Sequence, residues 1–345
     1  MKRLKTLPIL FFAVSQLSAQ LAFPLTSGQP AVLYSLPKTE LIVVVEIEKT
    51  IQKPGMFFQY SERYLATKSV IVQDKTAYKI KSIQVQTRTS PDSNRTYTYT
   101  APAKAPNLQL SINSAGILCG LNAEVKTESN NLDFQNGVVA EMSTKTTLLP
   151  LGEEYMMAGS TAKLAEGAAK QIYRIRENRL SLLTGEIEKL PYDGKSMEVM
   201  LSGMNEMERE LTELFIGNTI TETKVERIEL RSDAAITNQV LFRFSTIKGL
   251  TSSDDLSAKP VYYSLLPEKI KTIEDPKAKK IKVILNTILP ATTELKISDG
   301  ENTLFKNQFL LPQFGVIIPL SEELFSKTSS KVIIDCSTGR LLEIK

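Results

Sequence analysis

The spacing of the apolar residues changes twice along this chain, and nothing else in it constrains the fold as strongly. Leu41, Val43, Val45 and Ile47 alternate with Ile42, Val44, Glu46 and Glu48. That two-residue period describes a strand buried on both faces at its start and wet on one face at its end. From Ser160 the period becomes helical: Leu164, Ala168, Ile172, Ile175 and Leu182 share one face, with Ser160 placed as N-cap and Gly185 as C-cap. After the turn Pro191-Tyr192-Asp193-Gly194 a second helix is expected from about Lys195 to Phe215. There Met197, Met204 and Leu211 repeat every seven residues and Met200, Met207 and Leu214 repeat between them, the pattern of an a/d seam. Beyond Thr219 short strands return, from Thr219–Arg231 to Leu341–Lys345. Strands, then helices, then strands in blocks define an α+β chain. Two β-rich, sandwich-like regions, 31–150 and 218–345, bracket an antiparallel helical hairpin at 155–217.

Local signals refine this outline. Pro54-Gly55 stops the first strand, and Phe57, Tyr60 and Tyr64 follow at helical spacing as a short aromatic stripe that belongs in a core. Between Ala77 and Thr89 the apolar positions Tyr78 and Ile80 give way to Ile83 and Val85, so the alternation changes parity at Ser82 and predicts a bulge there. Asn107–Asn113 and Ile117–Glu124 read as a hairpin, and Asp299-Gly300-Glu301-Asn302 as a hairpin turn. Leu36-Pro37-Lys38-Thr39-Glu40-Leu41 and Leu289-Pro290-Ala291-Thr292-Thr293-Glu294-Leu295 echo each other loosely, which fits either two related β-regions or coincidence.

The N-terminus reads as an address. Lys2, Arg3 and Lys5 precede an apolar stretch from Leu7 to Leu17, and Ser18-Ala19-Gln20 offers a cleavage site near Ala19. This is the pattern of a secretory signal peptide at 1–19, with residues 20–30 as a tail. The stretch is shorter than the roughly 20 residues a spanning helix needs. No cysteine stands near the cleavage site to accept a lipid, so the mature chain is expected in the periplasm or outside the cell, neither membrane-spanning nor a lipoprotein. Three of the 42 basic residues sit in the leader, so 39 remain against 38 acids, a net charge of +1 rather than +4. No field remains to attract nucleic acid. Cys119 and Cys336 each lie in a short apolar run and read either as buried hydrophobes or as a disulfide across 217 positions.

The chemistry is bounded by an absence: the chain contains no histidine. That removes Ser-His-Asp and Cys-His catalysis and every His-ligated zinc site. Ser160-Thr161-Ala162-Lys163 matches an S-x-x-K nucleophile pattern, but so do Ser35–Lys38 and Ser245–Lys248, and no K-T-G accompanies them. Gly194-Lys195-Ser196 imitates the end of a phosphate loop whose opening glycine is replaced by Lys189, and is better read as a helix N-terminus. Asp254-Asp255 lacks the calcium-loop pattern, and the lysines of Lys269–Lys282 lack interleaved aromatics. Arg174, Arg176 and Arg179 are the interaction candidates, set against their reading as a solvated, internally paired helix face. The methionine seam reads as core packing, with an adaptable binding groove as the alternative.

The wording of the sequence adds one resemblance. Leu36–Leu41 with Pro54-Gly55, Tyr60 and Glu62-Arg63-Tyr64-Leu65 resembles the opening of the domain of unknown function 4831 family. Gln171–Arg179, Leu182–Glu186 and Leu211–Phe215 resemble its helical centre, and Pro312-Gln313-Phe314-Gly315 its C-terminal part. The resemblance implies an exported protein with a Gram-negative envelope or secreted location, and it carries no activity, cofactor or catalytic residue. The expectation is therefore a non-enzymatic envelope or secreted module that contacts a protein or glycan. A carboxylate-dependent hydrolase of polysaccharide or peptidoglycan is the alternative, recognisable by two facing acids roughly 5 to 10 Å apart.

Overall fold

The computed structural model describes residues 23–24, 30–103, 107–124, 153–157, 159–186, 193–271, 282–325 and 330–345. The expected leader, and the 20–30 tail apart from Phe23, Pro24 and Pro30, lie outside these residues. The strands are β1 (Phe23–Pro24), β2 (Pro30–Lys53), β3 (Lys75–Thr100), β4 (Leu110–Ile112), β5 (Leu118–Leu121), β6 (Asn218–Leu230), β7 (Ile236–Ser245), β8 (Gly249–Thr251), β9 (Lys259–Pro267), β10 (Val283–Ser298), β11 (Thr303–Ser321), β12 (Val332–Ile334) and β13 (Leu341–Ile344). The helices are α1 (Ser61–Leu65), α2 (Glu153–Met156), α3 (Thr161–Thr184) and α4 (Gly194–Ile216). The chain is α+β, with the α3–α4 hairpin between two β-rich stretches of sequence.

Those stretches share sheets in space. In the first sheet β2 lies between β3 and β6, so a strand from beyond the helices completes the N-terminal sheet, and β1 adds to the start of β2. The second sheet, β11-β10-β9-β7-β8, comes wholly from the C-terminal stretch. The third, β13-β12-β5-β4, joins two C-terminal strands to two N-terminal ones: Val332 and Ile333 of β12 pair with Leu121 and Gly120 of β5. Cys119 of β5 is disulfide-bonded to Cys336, just past β12, so the bridge closes this composite sheet.

Long strands replace several of the short ones that the sequence suggests. Ala77–Thr89 and Arg95–Ala101 merge into β3, Ile281–Leu289 and Thr293–Asp299 into β10, and Thr303–Leu310 and Gly315–Leu320 into β11. Each merger spans a ladder interruption. On β3 the partners of Ser35 and Pro37 are Thr96 and Pro91, so Asp92–Arg95 forms a four-residue excursion opposite Leu36. On β11 the partners of Leu289 and Ala291 are Val316 and Leu311, so Pro312–Gly315 forms a four-residue excursion opposite Pro290. The two Leu-Pro echoes thus mark the same device in two β-hairpins. Proline lacks the N–H a central ladder position needs, so the ladder breaks where the Leu-Pro step falls. The parity change at Ser82 has the expected cause: Glu46 pairs with Ser82 and Ile47 with Ile80, leaving Lys81 as the extra residue of a bulge.

Three cores result. In β2, Tyr34 and Leu36 enter one core with Leu118, Leu121, Leu285, Ile288, Leu320, Val332 and Ile334. Leu41, Val43, Val45 and Ile47 of the same strand enter another, with Phe242, Val261, Leu265, Leu295 and Ile297, between the first two sheets. Even-numbered residues serve one and odd-numbered residues the other, so opposite faces of β2 feed two cores across the break at Pro37. The third core lies under the helices, where Phe57 meets Ala165, Ala168, Ala169, Ile172, Ile175, Leu211 and Phe215. Tyr60 and Tyr64 pack against it, which places the aromatic stripe in a core.

Candidate interaction surface

The helical hairpin holds all three interaction candidates. Ser160 caps α3, its hydroxyl accepting from the Lys163 N–H at 3.3 Å, and Gly185 ends that helix with φ at 75°. The S-x-x-K serine is therefore occupied as a cap. Asp193 caps α4 through the Ser196 N–H at 2.8 Å, the helix start that Gly194-Lys195-Ser196 was expected to be.

Arg176 and Arg179 reach across the hairpin at its surface. The Arg176 Nε donates to Glu208 Oε1 at 2.6 Å, and the Arg179 Nη1 donates to Glu208 Oε2 at 2.5 Å and to Asn205 Oδ1 at 2.7 Å. Burial works against ionising Glu208, but the two guanidinium groups outweigh it and hold the carboxyl below its usual range. Glu208 had no place among the candidates; its signal is its position midway between Met204 and Leu211 in the heptads. Arg174 lies apart from this cluster, exposed on α3. The structure thus brings together two of the three arginines, as a clamp between helices.

The methionine seam divides. Met204 packs against the core under the helices and Leu211 is fully buried in it. Met200 and Met207 keep 42% and 38% of their surface exposed. The reason is reach: Phe57 and α1 meet the base of the hairpin, with Phe57 N–H donating to the Leu214 carbonyl at 2.7 Å and Tyr173 hydroxyl to that of Tyr64 at 2.8 Å. Leu180 and Leu183 of α3 are also exposed.

A shallow open groove runs along one face of α4 between Gly194 and Arg209, with Glu198 and Glu206 in its lining. Eight residues separate these acids on one helix, about 12 Å at 1.5 Å per residue. Glu206 is bonded to Arg209 at 3.0 Å. Among the described residues no three Asp, Glu, Cys or His side chains gather as a metal cluster, and no helix is long and apolar enough to cross a membrane.

A second polar cluster lies where the three sheets meet. Gln313, in the β11 excursion, accepts from the Thr39 N–H at 3.2 Å and donates from Nε2 to the carbonyls of Thr39 at 2.7 Å and Ser232 at 3.2 Å. β6 pairs with β2 only as far as Leu41, and Gln313 supplies beyond it the donor and acceptor that a further strand residue would offer Thr39. Arg95, in the β3 excursion, donates to the carbonyls of Pro312 at 2.8 Å and Gln313 at 3.0 Å. The two excursions are therefore bonded to each other. Lys38 pairs with Asp233, and Thr39 Oγ1 reaches the Ser337 carbonyl at 3.5 Å. Next to Cys336, Asp335 accepts from the hydroxyls of Ser337 and Thr338 at 2.7 and 2.6 Å. Burial opposes its charge, but these bonds and the neighbouring N–H groups prevail and lower its carboxyl's pKa. The resulting turn places Gly339, at φ 69°, against Pro37 and Ile288. Of these residues only Lys38 carries a chemical reading in the sequence, as the lysine of one S-x-x-K match, while Thr39 and Gln313 stand inside the stretches that resemble the family.

The fold and this junction define an α+β protein whose described residues form three sheets, locked where two β-hairpins break. The chain belongs to the family described as Domain of unknown function (DUF4831), which matches residues 30–342. No curated protein and no solved structure matches the chain.

Proposed function

We propose that this is an exported, non-enzymatic envelope or secreted protein that works as a structural and interaction module through protein or glycan contacts. The observation that carries the reading is the use made of the family words: Leu36–Leu41 and Pro312–Gly315 meet in one junction, where Thr39 and Gln313 spend their polar groups on joining sheets. Gln171–Arg179 and Leu211–Phe215 are likewise occupied in packing and clamping the hairpin. The Cys119–Cys336 bridge supports the export half, because such bonds persist outside the reducing cytoplasm. A mature start near Gln20 leaves a chain of almost neutral net charge, suited to neither nucleic acid nor an anionic membrane surface.

The test is expression of the full chain with its own leader in a Gram-negative host, followed by fractionation and intact-mass measurement. The expected product lies outside the cytoplasm, lacks about 19 residues and is two hydrogen atoms lighter than its reduced form. Full-length, reduced protein in the cytoplasm would refute export. Turnover of peptidoglycan or polysaccharide by the purified mature chain would refute the non-enzymatic reading.

A further inference from the structure

We draw no further inference here: the strongest candidate, the exposed apolar side chains Leu180, Leu183, Met200 and Met207 on the outer half of the α3–α4 hairpin, carries nothing because nothing in the structure shows what covers it.

Discussion

Replacing Gln313 tests whether a side-chain amide stands in for a missing peptide group at the sheet junction. Gln313 makes three hydrogen bonds to backbone groups of Thr39 and Ser232, and Thr39 is only 5% exposed. A typical protein hydrogen bond contributes about 1 kcal/mol net, and a buried group left without a partner costs about 1 to 3 kcal/mol. The Thr39 carbonyl retains a bond from the Ser232 hydroxyl at 3.3 Å, so the main loss falls on the Thr39 N–H. Gln313→Ala should therefore lose about 2 to 4 kcal/mol in urea unfolding followed by circular dichroism. Gln313→Glu is the sharper variant because its shape is nearly unchanged. At pH 7 it sets a carboxylate against two carbonyls, and it should be at least as unstable as the alanine variant. Below about pH 4.3 the protonated acid can donate again, so the gap from wild type at the same pH should narrow. An alanine variant within about 0.5 kcal/mol of wild type, or a glutamate variant equal to wild type at pH 7, would refute the reasoning.

Three further outcomes follow from the same geometry. Replacing both Cys119 and Cys336 by serine releases a loop of 217 residues, worth up to about 5 kcal/mol of chain entropy, and should speed amide exchange in β12 and β13 before it affects α3; unchanged exchange in β12 would count against the bridge as the closure of its sheet. Glu208→Gln should cost about 1 kcal/mol, since the clamp is partly exposed. The depressed Glu208 carboxyl adds stability that is complete above the unfolded value near 4.5 and is lost as pH falls through the lower folded value, so the glutamine variant should show a flatter loss below pH 4.5, and parallel curves would contradict the clamp. Ser160→Ala should remove about 1 kcal/mol with a small loss of helical signal, and a neutral result would mean the cap bond contributes nothing.

Much of the local structure could be read directly from residue order. The caps Ser160 and Gly185, the start of α4 at Asp193-Gly194, the bulge beside Ser82 and the turn held by Asp299 all depend on neighbours within a few positions. The long strands were less legible, because Pro37, Pro91, Pro290 and Pro312 look like strand ends when only local propensity is weighed. The neighbouring sheets hold β2, β3, β10 and β11 extended through those breaks. The arginines show the same limit. Arg176 and Arg179 were visible as a basic run, but their partner Glu208 lies 29 to 32 residues away on another helix.

Residue order alone determined the α+β character, the position of the helical hairpin and the exclusion of histidine chemistry, because periodicity and composition are properties of the chain before it folds. Tertiary structure decided that β6 completes the N-terminal sheet, that β5 and β12 join under the Cys119–Cys336 bridge, and that Arg95 and Gln313 bind the two excursions together. Those pairings bring together groups separated by 165 to 274 positions. At that distance a hydrogen bond leaves no period in the sequence; it exists only once opposite faces of β2 have been committed to two different cores.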